Sequence, residues 1–443
     1  MKRIPQLFSV LCLLSSAVAF AGVADNATRT TINGIDVVAL KTGVKDVITI
    51  RGTLPVGDSR SPEANSALAD LTAGMLDKGT TTHDKFAIAK LLGDAGATIN
   101  FSTNAAALQV NAKCLRQDLP LVLGLIAEQL RSPAFSPEEF AKLQKQTTGQ
   151  MRRNMEDPEF RASTSFNNAI YPLGHPNREV GVDSFMADVQ KATLDQVKAF
   201  YKEMYGPAAM KLVVVGDVDA ATATAEIGKV FAGWTGGSPA PKSPKAGNVD
   251  SARDQSVFMA DKASVAVFWG QATQLRYGDP DTLALRLGSA ALGSGFTGRL
   301  MANVRDKEGL TYGIYSGVAN DTFADGNFLI GAQFAPELLD KGLASTKHQL
   351  VAWYQDGITE KELAHVKGDF VGSYKIGLST SGGMATTILN TMNRELPLTF
   401  IDEFGNKVNA LTLADVNGSI KKHLDPEKMI LVKAGTVPGA VGK

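Results

Sequence analysis

A chain of 443 residues in which 45 basic side chains balance 45 acidic ones, with 44% apolar and 20% charged residues, has the composition of an ordinary globular protein. The balance gives no electrostatic footprint for nucleic acid or for an anionic membrane surface. Two cysteines, one of them Cys12 close to the N-terminus, exclude a disulfide-stapled framework.

The first residues carry Lys2 and Arg3, then an apolar run from Leu7 to Ala19, then the small-x-small step Ala19-Phe20-Ala21. That order is an export signal with cleavage expected after Ala21, and the run is too short for a comfortable membrane span. The mature chain is therefore expected in the periplasm, with no integral membrane segment, Cys114 as its single thiol, and a net charge of about −2 once Lys2 and Arg3 are gone. Its length, roughly 420 residues, exceeds what one core usually supports and predicts two domains.

After a short lead, alternation over Val47–Thr53 predicts a strand. Ser61-Pro62-Glu63 opens an amphipathic helix expected over 61–78, and a second helix is expected over 84–94, ending at Gly96. Residues 98–111 alternate as a pair of strands. Helices follow over 118–131, from the Ser136 cap to Asn154, and over 193–205, and a strand over 211–215 closes at Gly216. The Gly-, Pro-, Ser- and Lys-rich stretch after Trp234 reads as an exposed linker over 235–255.

The order then repeats. Strands are expected over 265–270, 310–319, 326–334 and 429–432, with helices over 279–292 and 337–354. Gly357-Ile358-Thr359-Glu360-Lys361-Glu362 stands in the slot of Phe135-Ser136-Pro137-Glu138-Glu139, a Ser/Thr cap with acids in the first turn of a long helix. Corresponding elements lie about 220 residues apart, which indicates a duplication. The predicted class is α+β: a signal at 1–21, an N-terminal domain at 22–234, the linker, and a C-terminal domain at 256–443. Each half is a mainly antiparallel sheet with helices on one face.

The segment Asp70-Leu71-Thr72-Ala73-Gly74-Met75-Leu76-Asp77-Lys78-Gly79-Thr80 resembles the active-site helix of the pitrilysin, insulinase and mitochondrial-processing group of zinc peptidases. The motif of that group is His-x-x-Glu-His followed by Met-Leu-x-Lys-Gly-Thr. The tail from Met75 to Thr80 matches, while Asp70, Ala73 and Gly74 stand where the first histidine, the general-base glutamate and the second histidine would be. A third ligand would fall near Gln150. A hydrolytic zinc needs three protein ligands and a base for its water, so this chain is expected to bind no catalytic zinc. The five histidines of the sequence include no close pair.

The resemblance continues through Tyr171-Pro172-Leu173-Gly174-His175-Pro176 and, in the second half, through Gly293-Ser294-Gly295-Phe296-Thr297-Gly298-Arg299-Leu300 and Arg305-Asp306-Lys307-Glu308-Gly309-Leu310-Thr311-Tyr312. It implies that Arg305 and Tyr312 touch substrate opposite zinc, and that Gly293, Gly295 and Gly298 form a mobile turn beside bound peptide. No Gly-Lys-Ser/Thr follows these glycines, so they are not a phosphate loop. Arg299 is expected to be structural, and Gly382-Gly383 another flexible point. What the resemblance implies overall is the zinc-less subunit of a heterodimeric periplasmic peptidase. Such a subunit is inactive alone and pairs with a similar two-domain chain that carries His-x-x-Glu-His and zinc, acting on peptides or unfolded segments. The rival expectation is a peptide-binding or assembly scaffold of the same fold with no catalytic partner.

Overall fold

The computed structural model describes residues 22–239 and 253–439, so the expected export segment and most of the expected linker lie outside the described residues. In the first half, β1 (Thr28–Ile32), β2 (Ile35–Lys41), β3 (Val47–Leu54), β4 (Thr98–Thr103), β5 (Leu108–Leu115) and β6 (Lys211–Gly216) form one sheet in the order β1-β2-β6-β3-β5-β4. In the second half, β7 (Arg253–Phe258), β8 (Val265–Ala272), β9 (Thr311–Ala319), β10 (Asn327–Phe334) and β11 (Ile430–Gly435) form another in the order β7-β11-β8-β10-β9. Without β1 the two orders are the same, with strands of matching rank in the same places. The one parallel pairing in each, β2 with β6 and β7 with β11, also coincides. The duplication read from sequence spacing is thus a duplication of topology.

The strands form where the side chains alternate between core and solvent, as in β5, whose Leu108, Val110, Ala112 and Cys114 are buried while the residues between them are not. The long helices start where side chains satisfy orphan amides: the Ser136 hydroxyl accepts from the Glu139 N–H, and Thr359 from that of Glu362. On one face of each sheet the helices build a large apolar core, around Leu71, Ile126 and Phe231 in the first half and around Leu285, Phe328 and Trp353 in the second.

The other face of each sheet is covered by a helix from the opposite half. The helix Pro158–Ile170 lays Ala162, Phe166 and Ile170 on Phe268, Ile430 and Val432 of the second sheet. The helix Ser381–Asn393 lays Ala385, Ile388 and Met392 on Val38, Val213 and Val215 of the first. Polar ties follow the same exchange. The Thr53 hydroxyl donates to Asn393 Oδ1 at 2.9 Å, the Tyr171 hydroxyl to Asn327 Oδ1 at 2.9 Å, and buried His175 Nε2 stands 2.9 Å from Asp325 Oδ1. The His175 Nδ1 accepts from the Asn177 N–H, which leaves Nε2 to donate to the carboxylate.

Three local expectations are corrected. The helix expected over 61–78 is confined to Leu68–Met75, because Asn65 and Ser66 spend their side chains on Asp188 and on the Ala67 amide and hold residues before Leu68 in turns. Ser61 still helps, its hydroxyl accepting from the Ala69 N–H at 2.9 Å. Gly382-Gly383 is no flexible point: both lie in the first turn of a helix capped by Thr380, and a Cβ on Gly383 would sit 1.9 Å from the Gly377 carbonyl oxygen. Strand β7 begins at Arg253, inside the stretch expected to be linker. Among the described residues no helix is long and apolar enough to cross a membrane.

Candidate functional site

The helix Leu68–Met75 packs between the helix Leu194–Met204, strand β4 and the helix Pro137–Met155, and this fixes what its side chains meet. Asp70 accepts a hydrogen bond from the Thr103 hydroxyl at 3.2 Å, and burial pushes its pKa up. Asp58, in the turn just before, keeps accessible surface but is hemmed in by Asp70, Thr103 and Glu179. Desolvation first, and the Asp70 charge second, raise its pKa to about 7. Ala73 is buried, and a Cβ on Gly74 would lie 2.9 Å from Leu143 Cδ2. The space a second ligand would need is therefore filled by leucine. Gln150 is exposed, its amide donating to Asn154 Oδ1 at 2.8 Å and its oxygen accepting from Arg153 at 2.6 Å.

This donor set does not fit zinc. One carboxylate, an alanine, a glycine packed on leucine and an outward-facing glutamine supply neither three ligands nor a base. Among the described residues no group of three His, Cys, Asp or Glu side chains is arranged to hold a metal. The part of the motif that survives is the part that builds the fold. Met75 and Leu76 are fully buried, Gly79 has a φ of +106°, and Thr80 forms a bridge with Pro133 while its hydroxyl accepts from the His83 N–H.

In the second half the structure brings Arg305 and Tyr312 together. Arg305 lies on a π-helix, Met301–Lys307, a rare conformation enriched at functional sites. Tyr312 is the second residue of edge strand β9. The guanidinium carbon stands 5.6 Å from the Tyr312 ring centroid and 5.3 Å from that of Phe296, and Nη1 is 3.1 Å from Asp306 Oδ1. Tyr312 is 91% exposed and Phe296 70%, an unusual outlay of aromatic surface. Arg299 fastens the turn, as expected of a structural residue: it grips Glu362 at 2.5 and 2.7 Å and donates to the Gly357 carbonyl at 2.8 Å. Thr297 meets His365 Nε2 at 2.8 Å.

The three glycines do different things. A Cβ on Gly293 would sit 2.5 Å from the Ser316 nitrogen, and one on Gly298 2.9 Å from the Gly293 Cα, so both permit close backbone approach. Gly295, at φ +62°, has open space around it and supplies the turn. No hydrogen bond, ion pair or ring contact among the described residues links this wall to Asp70, Ala73, Gly74 or Gln150, so the two groups are separate features of the chain. Sequence reasoning did not single out Phe296, Tyr315 or Glu159, which line a hollow of about 420 Å³ beside Tyr312. An aromatic between two glycines was a usable signal for Phe296. Glu159 gave none, because its helix belongs to the other half.

Comparison with known proteins agrees with this division. Residues 37–179 match the family model described as Insulinase (Peptidase family M16), and residues 191–368 the one described as Peptidase M16 inactive domain. The chain is 24% identical over 379 residues to the Helicobacter pylori protein named non-peptidase homolog YmxG, covering 83% of this chain and 84% of that protein. It is 26% identical over 356 residues to the Mycobacterium tuberculosis protein named uncharacterized zinc protease Rv2782c, with 79% of each covered. The crystal structure of a peptidase M16 inactive domain from Pseudomonas fluorescens superposes with a TM-score of 0.86 at 26% identity, covering 94% of this chain and 99% of that one. The Escherichia coli periplasmic protease PqqL shares the fold with a TM-score of 0.77 at 17% identity, over 93% of this chain but 46% of that one. The chain belongs to the insulinase (M16) family of peptidases, with Asp70, Ala73 and Gly74 in place of the zinc motif.

Proposed function

We propose that this protein is exported, loses its first 21 residues, and serves as the non-zinc subunit of a two-chain peptidase. Its partner is a similar two-domain chain carrying His-x-x-Glu-His. The observation that carries the reading is the asymmetry of the two sites. Every position that would do zinc chemistry is replaced or filled, while Tyr312 stands exposed, with the half-buried Arg305 against its ring, and the pair has nothing of its own chain to act on. A chain of the same fold about twice as long supports a requirement for two such units.

In this arrangement the zinc ligands would belong to the partner chain, and a zinc held there would supply Lewis acidity and an activated water. This chain holds the peptide with the Arg305 guanidinium, whose planar fork suits a backbone carbonyl or a carboxylate. The Tyr312 hydroxyl donates to the carbonyl oxygen as negative charge develops there. The test is to reconstitute the chain with its zinc-bearing partner and compare wild type with Tyr312→Phe at equal complex formation. Turnover is expected to fall about a hundredfold, the lower end for losing one oxyanion donor. Arg305→Ala is expected to raise KM as well as lower kcat, since that side chain holds substrate before and during reaction. Unchanged turnover in Tyr312→Phe removes the shared-site mechanism. Failure of any zinc-bearing chain to pair with this one, together with retained peptide binding, favours the scaffold reading.

A further inference from the structure

A second hollow, of about 350 Å³, lies at the opposite edge of the second sheet from Tyr312. One wall is the helix Pro158–Ile170, on which Arg161 and Asn168 stand two turns apart on one face. The other is β7, whose alternate side chains, from Arg253 to Val257, turn the same way. The start of the helix Val182–Lys191 closes the hollow and brings Asp183. This edge is open. Among the described residues β7 pairs only with β11, whereas the matching strand of the first sheet, β2, is also covered by β1. A bare edge offers backbone donors and acceptors to an extended chain.

The hollow gathers cations that the protein leaves unpaired. Among the described residues neither half-buried Arg161 nor exposed Arg253 has a hydrogen-bond, ion-pair or ring partner. The acids beside them are taken, Glu156 by Lys262 at 2.8 Å and Asp254 by Lys433 at 2.7 Å. Two guanidinium groups in one hollow repel each other until an anion joins them, and their planar forks suit a carboxylate. Asn168 sets a second condition. Its Oδ1 is buried without a donor, so an occupant that brings an N–H satisfies an atom otherwise left unpaired. Inorganic phosphate brings charge but no N–H, and Asp183 repels a multiply charged anion. The C-terminus of a peptide carries a carboxylate and an N–H on one residue. Met155, Val182 and Val257 give the side chain of that residue an apolar surface.

We propose that this hollow captures the C-terminal carboxylate of an extended peptide, with Arg161 and Arg253 gripping the carboxylate and Asn168 accepting from the last N–H. The proposal rests on the reading that this chain meets peptide, but it makes a claim that needs no catalysis. The test is equilibrium binding, by fluorescence anisotropy, of the full mature chain to N-terminally labelled Gly/Ser/Ala decapeptides. One ends in leucine as the free acid, one in leucine amide, and one in glutamate amide. The free acid is expected to bind about tenfold tighter than either amide, the scale of one charge-assisted contact. Arg161→Gln and Arg253→Gln are each expected to bring the acid to amide ratio close to one while leaving amide binding and the melting temperature unchanged. Arg152→Gln, an exposed arginine outside the hollow, is expected to leave the ratio as it is. A wild-type ratio near one, a ratio unmoved by Arg161→Gln, or no measurable binding overturns the site. Glutamate amide bound as tightly as the free acid, or displacement of the free acid by micromolar inorganic phosphate, overturns the assignment to a chain terminus. A free-acid preference without turnover in the reconstituted pair keeps this site and removes the catalytic reading. Turnover that depends on Tyr312 without any such preference does the reverse.

Discussion

Asp58 and Asp70 are two acids held close together in the first half. Asp58 faces Asp70 across the Thr103 hydroxyl, and burial followed by the Asp70 charge lifts its pKa to about 7. No cation among the described residues compensates the pair. A carboxyl whose folded pKa is raised binds more protons when folded than when unfolded. Its contribution to stability is therefore complete below the ordinary carboxylate range and is lost as pH rises through about 7. Asp58→Asn removes this dependence. Relative to wild type, the variant is expected to gain about 1 kcal/mol between pH 5 and pH 8, well below the full linkage value because water reaches the open side of Asp58 and screens it. Urea denaturation of both proteins at the two pH values checks this, and a difference that does not change with pH contradicts it.

At the scale of elements, the helix Leu68–Met75 has kept its packing and lost its chemistry. Gly74 lies against Leu143 of the helix Pro137–Met155 too closely for any larger side chain to enter without movement. Restoring His-x-x-Glu-His by Asp70→His, Ala73→Glu and Gly74→His is therefore expected to lower stability by about 1 to 3 kcal/mol through overpacking. It is also expected to yield no stoichiometric zinc by elemental analysis, with part of the stability recovered when Leu143→Ala is added. A stable triple variant with one zinc per chain would show that the filled site can reopen. The same helix shows what sequence could and could not disclose. Its apolar spacing was legible, but the turns before it were not, because they depend on Asn65 and Ser66 reaching Asp188, more than 120 positions away. The hairpin of β1 and β2 turns at Asn33-Gly34, both at positive φ, a two-residue signal inside the segment expected only as a short lead. The pairing of Arg305 with Tyr312 was legible from a linear motif. Glu159 was not, since periodicity says nothing about which half a helix will cover.

That exchange of helices decides how the whole molecule holds together. A half that kept its own helices on both faces could fold alone, and the inter-half contact would then be a surface between two finished domains. Here each half lacks one layer. Without the helix Ser381–Asn393 the first sheet would expose Val38, Leu40, Val213 and Val215, and without the helix Pro158–Ile170 the second would expose Ala266, Phe268, Ile430 and Val432. Each would be a contiguous apolar face of the kind that drives association. Residues 22–239 and 253–439, made separately, are expected to be insoluble or to bind a hydrophobic dye with little fixed tertiary structure. Co-expressed, they are expected to form a soluble 1:1 pair in which each half supplies the layer the other lacks. Within the intact chain, Phe166→Ala, which empties a fully buried ring position against Phe268, is expected to cost about 3 to 5 kcal/mol and to lower a single unfolding transition without splitting it in two. Calorimetry of the variant and size-exclusion chromatography of the separate and co-expressed halves decide the matter. A soluble, cooperatively folded half on its own would mean that the exchanged helix only tethers the halves, and that Glu159 reaches the Tyr312 face by a docking the fold does not require.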